Sequence, residues 1–375
     1  MVYDAIVIGL GAMGSATLHA LASRGISAIG IDQFSPPHTL GSTHGKSRII
    51  REAYFEDPCY VPLLQRAYVC WAQIEGESGE KLFLKTGGLM IGPEDGILVA
   101  GSRRSAEHHH LSHEMLTTRD VRNRYPGLHP TDEMIALYEP RAGVLFPERS
   151  VRACLDLAVR KGAVTKLEER VVSWSADGGS VRVNTTHNSY SAARLVIAAG
   201  PWIARLLPEL PLHLNVERQL FHWFRPAERP EWFAHSACPV ALWEHEPGRI
   251  FATFPDVAGQ GVKIGVHHEG EITNADTVRR DTTAQEDRSV RELLARFMPA
   301  AVGKLLDASV CLYTNTPDHH FLIDTHPAHH EVIIASPCSG HGFKFASALG
   351  EVLADLVTAG RSQLDISRFR LGIRD

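Results

Sequence analysis

The residues with the clearest chemical purpose stand at the start of the chain. Gly9-Leu10-Gly11-Ala12-Met13-Gly14 follows the apolar run Ala5-Ile6-Val7-Ile8. In a strand-to-helix turn of this spacing Gly9 permits the tight turn, Gly11 lets the backbone approach a pyrophosphate, and Gly14 lets the helix pack close to the strand. The helix then presents free N–H groups and the positive end of its dipole to the phosphates. A second apolar run, Ser27–Ile31, ends at Asp32, where such a unit places a carboxylate for a ribose hydroxyl. A related turn comes late. Ser339-Gly340-His341-Gly342-Phe343-Lys344 feeds a helix from about Phe345 to Thr358 and predicts a second contact with the same cofactor. Lys344 falls in a first helical turn, where positive charge is unfavourable, so its presence there asks for a reason.

Other reactive residues point to less. The 6 cysteines include no C-x-x-C pair, which predicts a reducing compartment and a cytoplasmic protein, not a disulfide framework. Among 21 histidines, the run His108-His109-His110 with His113 has no acidic or cysteine partner at ligand spacing and reads as a solvated helix end, so no metal is expected. A net charge of −5 gives no electrostatic case for nucleic acid or an anionic membrane as partner. Apolar runs stop short of membrane-spanning length, and the first strand begins too early for a signal peptide.

The elements that must position these residues form two interleaved modules. With 375 residues, 44% of them hydrophobic, the chain can bury two cores. Leu195-Val196-Ile197-Ala198-Ala199-Gly200 reads as a buried strand beside the first, and Val332–Ser336 as another. Helices are expected near Tyr60–Glu75, Thr118–Tyr125 and Val151–Lys161. From about Pro211 to Tyr313 short alternating runs such as Gln219–Phe224, Ile250–Phe254 and Gly261–Val266 predict a mainly antiparallel sheet. The expected fold class is α/β. A Rossmann-like dinucleotide-binding domain (residues 1–85, 145–215 and 316–375) interleaves with a mainly antiparallel-sheet substrate domain (86–144 and 216–315).

Blocks along nearly the whole chain carry a resemblance. They include Pro36-Pro37-His38, Gly41-Ser42-Thr43-His44-Gly45, Arg48-Ile49-Ile50-Arg51, Ala199-Gly200-Pro201-Trp202, Val262-Lys263-Ile264-Gly265-Val266-His267, Cys311-Leu312-Tyr313-Thr314 and the late glycine turn. In order and spacing the chain resembles the monomeric sarcosine oxidase and N-methyltryptophan oxidase family, flavoenzymes of the glycine/D-amino-acid oxidase superfamily. The resemblance implies FAD attached covalently through Cys311. It implies oxidation of the C–N bond of an N-methyl or other secondary amino acid, with molecular oxygen reduced to hydrogen peroxide, by a monomer. It places Arg51 and Lys344 on the substrate carboxylate, Lys263 at the site of oxygen activation, and His44, Arg48 and His267 beside flavin and substrate amine. Tyr313 falls with the substrate. Cofactor contacts carried over are Gly9, Gly11, Met13, Gly14, Asp32, Gln33, Ser42, His44, Arg48, Val172, Gly200, Trp202, Cys311, Gly340, Gly342, Phe343 and Lys344.

Departures from the family pattern matter equally. Thr43 stands for a histidine, Lys46 for an aspartate and Glu52 for a histidine. Ala252 aligns with an active-site tyrosine, and Trp243 with a pocket methionine. This predicts a side-chain pocket enlarged at Ala252 and refilled or ring-stacked at Trp243. Other readings of the same residues are an oxidase or dehydrogenase of cyclic imino acids or glycated amino acids, a nicotinamide dehydrogenase, and a non-catalytic flavin-binding subunit.

Overall fold

The computed structural model describes residues 2–372. Its first sheet is built on the N-terminal strand. Val2–Ile8 pairs in parallel with Ala28–Ile31 on one side and Ser189–Ile197 on the other. His329–Ser336 adds to Ser189–Ile197 in parallel, and Val164–Lys166 adds beyond Ala28–Ile31. The antiparallel strands Val171–Asp177 and Ser180–Thr185 extend one edge. Alternation along a strand sends successive side chains to opposite faces. Ala5 and Val7 therefore join a core with the helices Ala12–Ser23, Pro147–Arg160 and Ala346–Ala359, while Ile6 and Ile8 join a second core with Ile203 and Leu207. A parallel sheet covered on both faces needs such continuous apolar strands.

The second sheet has eight strands. Its central run is Leu305–Asn315, Asn215–Phe224, Val262–His267, Arg249–Phe254 and Val240–Glu246, each antiparallel to the next. Gly88–Pro93 joins Val240–Glu246 in parallel, and Met134–Glu139 and Glu114–Thr117 complete the sheet. One face packs on the helix Ala284–Phe297, through Phe224, Trp243, Phe251, Val262, Ile264 and Phe297. That helix, opened by a Thr283–Glu286 capping box, is the largest exception to the strand pattern expected over 211–313.

Register decides what the opposite face carries. Ala252 pairs with Leu242 and with Gly265, which pairs with Phe221; Phe254 pairs with Lys263, which pairs with Trp223; Gln219 pairs with Cys311 and Glu217 with Tyr313. Directly paired residues share a face, so Ala252, Lys263, Cys311 and Tyr313 all stand on the side turned away from the helix. A small third sheet, Arg48–Ile50 with Gly143–Leu145 and Phe83–Lys85, delivers the segment that carries Arg51. Among the described residues no helix is long and apolar enough to cross a membrane.

Candidate active site

A cavity of about 390 Å³ runs from the first glycine turn to the inner face of the second sheet. Gly9, Gly11, Met13, Asp32, Gln33, Val172, Gly200 and Trp202 line its nucleotide end. Gly9 has φ +86°, and a Cβ there would lie 2.5 Å from the Ala198 carbonyl oxygen. A Cβ on Gly14 would lie 1.7 Å from the Gly9 carbonyl oxygen, so Gly14 is buried under the turn and does not itself line the cavity. A Cβ on Gly11 would meet nothing closer than Thr43 Oγ1 at 3.4 Å, which leaves its backbone open to a ligand. Asp32 accepts hydrogen bonds from the Leu10 N–H at 2.6 Å and the Phe34 N–H at 2.8 Å, tying the carboxylate to the glycine turn.

The other end is lined by Ser42, Arg48, Arg51, Ala252, Lys263, His267, Tyr313, Gly340, Gly342, Phe343 and Lys344. Lys263 is 1% exposed. Its Nζ donates to the Gly45 and Ser47 carbonyls, both at 2.8 Å, and to Ser47 Oγ at 3.2 Å. The rings of Phe221, Phe254 and Trp223 lie 4.1, 4.5 and 5.5 Å from it. Burial, then Arg48, lowers its pKa well below the usual lysine value. Three acceptors and three ring faces favour the ammonium form. Burial also holds His267 neutral, with Nδ1 3.2 Å from the Tyr313 hydroxyl.

Arg51 and Lys344 converge from different elements. Arg51 is 2% exposed; its Nη1 donates to the Ala53 carbonyl and its Nη2 to Glu56 Oε2, both at 2.7 Å. Lys344 Nζ donates to the His341 carbonyl at 2.8 Å. The Tyr54 ring lies 4.3 Å from the guanidinium and 5.2 Å from the ammonium, so one aromatic ring serves both cations. Burial, then Arg51, lowers the Lys344 pKa to about 7.

Besides Gly14, three expected site residues lie off the cavity wall. Trp243 is corrected outright: it is fully buried in the opposite core, its ring stacked on Phe251 at 5.8 Å and its Nε1 donating to Thr253 Oγ1 at 3.0 Å. Leu242, one residue earlier and paired with Ala252, takes the wall position. His44 is placed behind the wall, with Nδ1 3.5 Å from Ser309 Oγ, and burial lowers its pKa to about 3, so it contributes a neutral ring and no charge. Cys311 is also one layer back, its Sγ 3.4 Å from the Ser42 carbonyl and 3.5 Å from Arg48 Nη2. Phe55, Glu56, Leu242, Ile250 and His341 line the cavity without having been expected to. Strand alternation alone would have found Ile250, two residues before Ala252 on the same face; Leu242 comes from the pairing of its strand with that one, and nothing in the sequence marks Glu56.

The profile of FAD dependent oxidoreductases (DAO) matches residues 4–356. The chain belongs to this family. It is 41% identical over 370 residues to a monomeric sarcosine oxidase of Streptomyces avermitilis, covering 98% of this chain and 96% of that one. It is 35% identical over 373 residues to an N-methyl-L-tryptophan oxidase of Yersinia pestis, covering 99% of each. An L-proline dehydrogenase of P. horikoshii has the same fold, with a TM-score of 0.86 at 22% identity over 98% of this chain and 96% of that one.

The residues present fit FAD. Gly11 offers open backbone at a helix N-terminus, Asp32 lies where a ribose would be read, and the buried Ser42 Oγ on the cavity wall has no partner among the described residues. The same cavity continues from that end to Lys263, Arg51 and Lys344, so these residues would surround the reactive end of a dinucleotide whose phosphates lay at the glycine turn.

Proposed function

We propose that this enzyme oxidises the C–N bond of secondary amino acids larger than sarcosine and reduces oxygen to hydrogen peroxide. The observation that carries this reading is the pairing of two buried cations, Arg51 and Lys344, with an apolar wall of Phe55, Leu242, Ile250 and Ala252 in one cavity. Bound FAD supplies the two-electron oxidation. The guanidinium grips the substrate carboxylate and Lys344 adds a point charge, which fixes the α-carbon and nitrogen. Burial disfavours protonation of His267, which Tyr313 holds, so its neutral ring leaves the substrate nitrogen free of a like-charged neighbour. Sarcosine and N-methyl-L-tryptophan, the substrates for which the relatives are named, are both secondary amino acids and support the reading.

A panel of N-methyl amino acids, proline, pipecolate and simple amines, read by peroxide release, tests it. N-methyl amino acids with large apolar side chains are expected to give the highest kcat/KM. Amines without a carboxylate forgo the contact with these two cations, worth about 2–5 kcal/mol by analogy with the loss of one partner of a buried charge pair, and are expected to fall at least roughly 30-fold behind. Highest kcat/KM on a carboxylate-free amine overturns the reading; highest kcat/KM on sarcosine overturns its size preference.

The pH dependence of carboxylate binding has a defined sign. Lys344 is charged below about pH 7 and loses its proton above it. Affinity for a non-oxidisable carboxylate ligand is therefore full on the acid side and falls as pH rises through that value, until it levels above the higher pKa that the bound anion gives the lysine. Titrating the flavin absorbance with such a ligand across this range checks it. Lys344→Met is expected to bind more weakly and to lack this alkaline fall; an unaltered fall in the variant refutes the assignment.

A further inference from the structure

A carboxylate behind the cavity accepts hydrogen bonds from the backbone that follows Arg51. Glu139, the last residue of the strand Met134–Glu139, is 1% exposed and lies outside the cavity lining. Both of its oxygens accept from the Glu52 N–H, at 2.8 and 3.0 Å, and one also accepts from the Ala53 N–H at 2.8 Å. The Ala53 carbonyl, in turn, accepts from Arg51 Nη1 at 2.7 Å. A continuous hydrogen-bonded path thus runs from the carboxylate through the backbone of residues 52–53 to the guanidinium.

The arrangement is electrostatically expensive. The Glu52 carboxylate is itself buried and raises the pKa of Glu139, while burial is the larger cause of a rise to about 7. Arg141 pairs with Glu52 at 3.1 Å, and Tyr68, on the helix Val61–Ser78, donates its hydroxyl hydrogen to the Arg141 carbonyl. Arg51 is the cation that favours ionised Glu139. An amide or apolar residue would fill this position without placing two acids together; a carboxylate accepts two adjacent backbone N–H groups, which neither alternative does as strongly.

We infer that Glu139 is a positioning residue for substrate recognition, clamping the backbone of residues 52–53 so that the Ala53 carbonyl holds Arg51 in the orientation that reads the substrate carboxylate. This rests on the reading of Arg51 as the carboxylate grip. The test uses flavin-loaded enzyme at about pH 8, on the ionised side of the ordinary carboxylate range and of the raised value. An oxidised N-methyl amino acid is compared with its carboxamide, in which the negative charge is removed.

Glu139→Gln is expected to raise KM for the acid roughly tenfold, in line with loss of one charge-assisted hydrogen bond, with kcat within about twofold and the carboxamide unaffected. Glu139→Asp, which keeps the charge, is expected to recover part of the loss and serves if the glutamine variant does not fold. Arg51→Met is expected to abolish most discrimination between acid and carboxamide, and Glu139→Gln added to it should cost nothing further, because residues acting through one path are not additive. Equal losses on acid and carboxamide, or additive losses in the double variant, overturn the inference while leaving Arg51 as the grip. Unchanged discrimination in Arg51→Met alone overturns the grip itself, and the inference with it.

Discussion

Replacing Lys263 by methionine is expected to lower kcat/KM for oxygen by roughly 10²–10³-fold, the scale of losing one preorganised charge, while kcat/KM for the amine changes by only a few-fold. Negative charge develops on oxygen as electrons reach it, and a cation already fixed in a dry cavity stabilises that charge without reorganising. Lys263 meets this description in geometry: three backbone and hydroxyl acceptors and three aromatic faces hold it on the cavity wall. Its pKa is lowered by burial and by Arg48, so the charge, complete at low pH, is lost as pH rises at a lower value than for a free lysine. Oxygen reactivity of the wild type should fall with that deprotonation, and the methionine variant should show no such limb. The same ammonium also ties the carbonyls of Gly45 and Ser47. Flavin content and the amine parameters, measured on the same preparations, separate loss of oxygen activation from loss of the loop. Parallel falls in both substrates' kcat/KM refute a role specific to oxygen.

How far the sequence reveals this site depends on which physical rule places each residue. The glycine turn and Asp32 are legible because local backbone geometry fixes them: a turn that needs φ +86° at Gly9 and no Cβ at Gly14 admits little else. The apolar runs Ala5–Ile8 and Leu195–Ile197 do lie side by side, within the longer strands Val2–Ile8 and Ser189–Ile197. Trp243 shows the limit. Alignment to a family pattern can slip by one residue between anchors, and in a strand one residue reverses the face. Ala252 does stand on the cavity wall, but the neighbouring strand is placed only by its pairing, Leu242 to Ala252, which is a property of the sheet. Glu56 and Glu139 are harder still. Their roles come from a segment folding back on Arg51 and from contact between residues 86 and 87 positions apart in sequence, and no local pattern encodes either. The helix Ala284–Phe297 was within reach, since Thr283 and Glu286 form a capping pair ahead of an amphipathic run.

On acid precipitation the flavin of the wild type is expected to stay with the protein and that of Cys311→Ala to be released, an all-or-none change in where the colour goes. Attachment needs a thiolate, and a buried thiol is a poor source of one unless cations lie near. The cysteines differ in this respect. Burial pushes Cys154 and Cys238 up to about 12, with no cation opposing it, and does the same to Cys338 on the cavity wall. Cys311 is also raised by burial, but Arg48 and Lys263 pull it back, and Arg48 Nη2 donates directly to its sulfur. Cys311 stands one layer behind Ser42 and Arg48, so attachment requires those side chains to admit the ring edge to the sulfur. Cys338 has the access without the charge; Cys311 has the charge with access through its neighbours. Since uncatalysed addition depends on thiolate fraction, charge is the deciding property and Cys311 the expected nucleophile. Peptide mass mapping of wild-type protein should find the flavin adduct on the peptide containing Cys311-Leu312-Tyr313. Arg48→Met should slow attachment while leaving Cys311 in place, which a requirement for proximity alone does not predict. An adduct on Cys338, or acid-soluble flavin from the wild type, refutes the assignment.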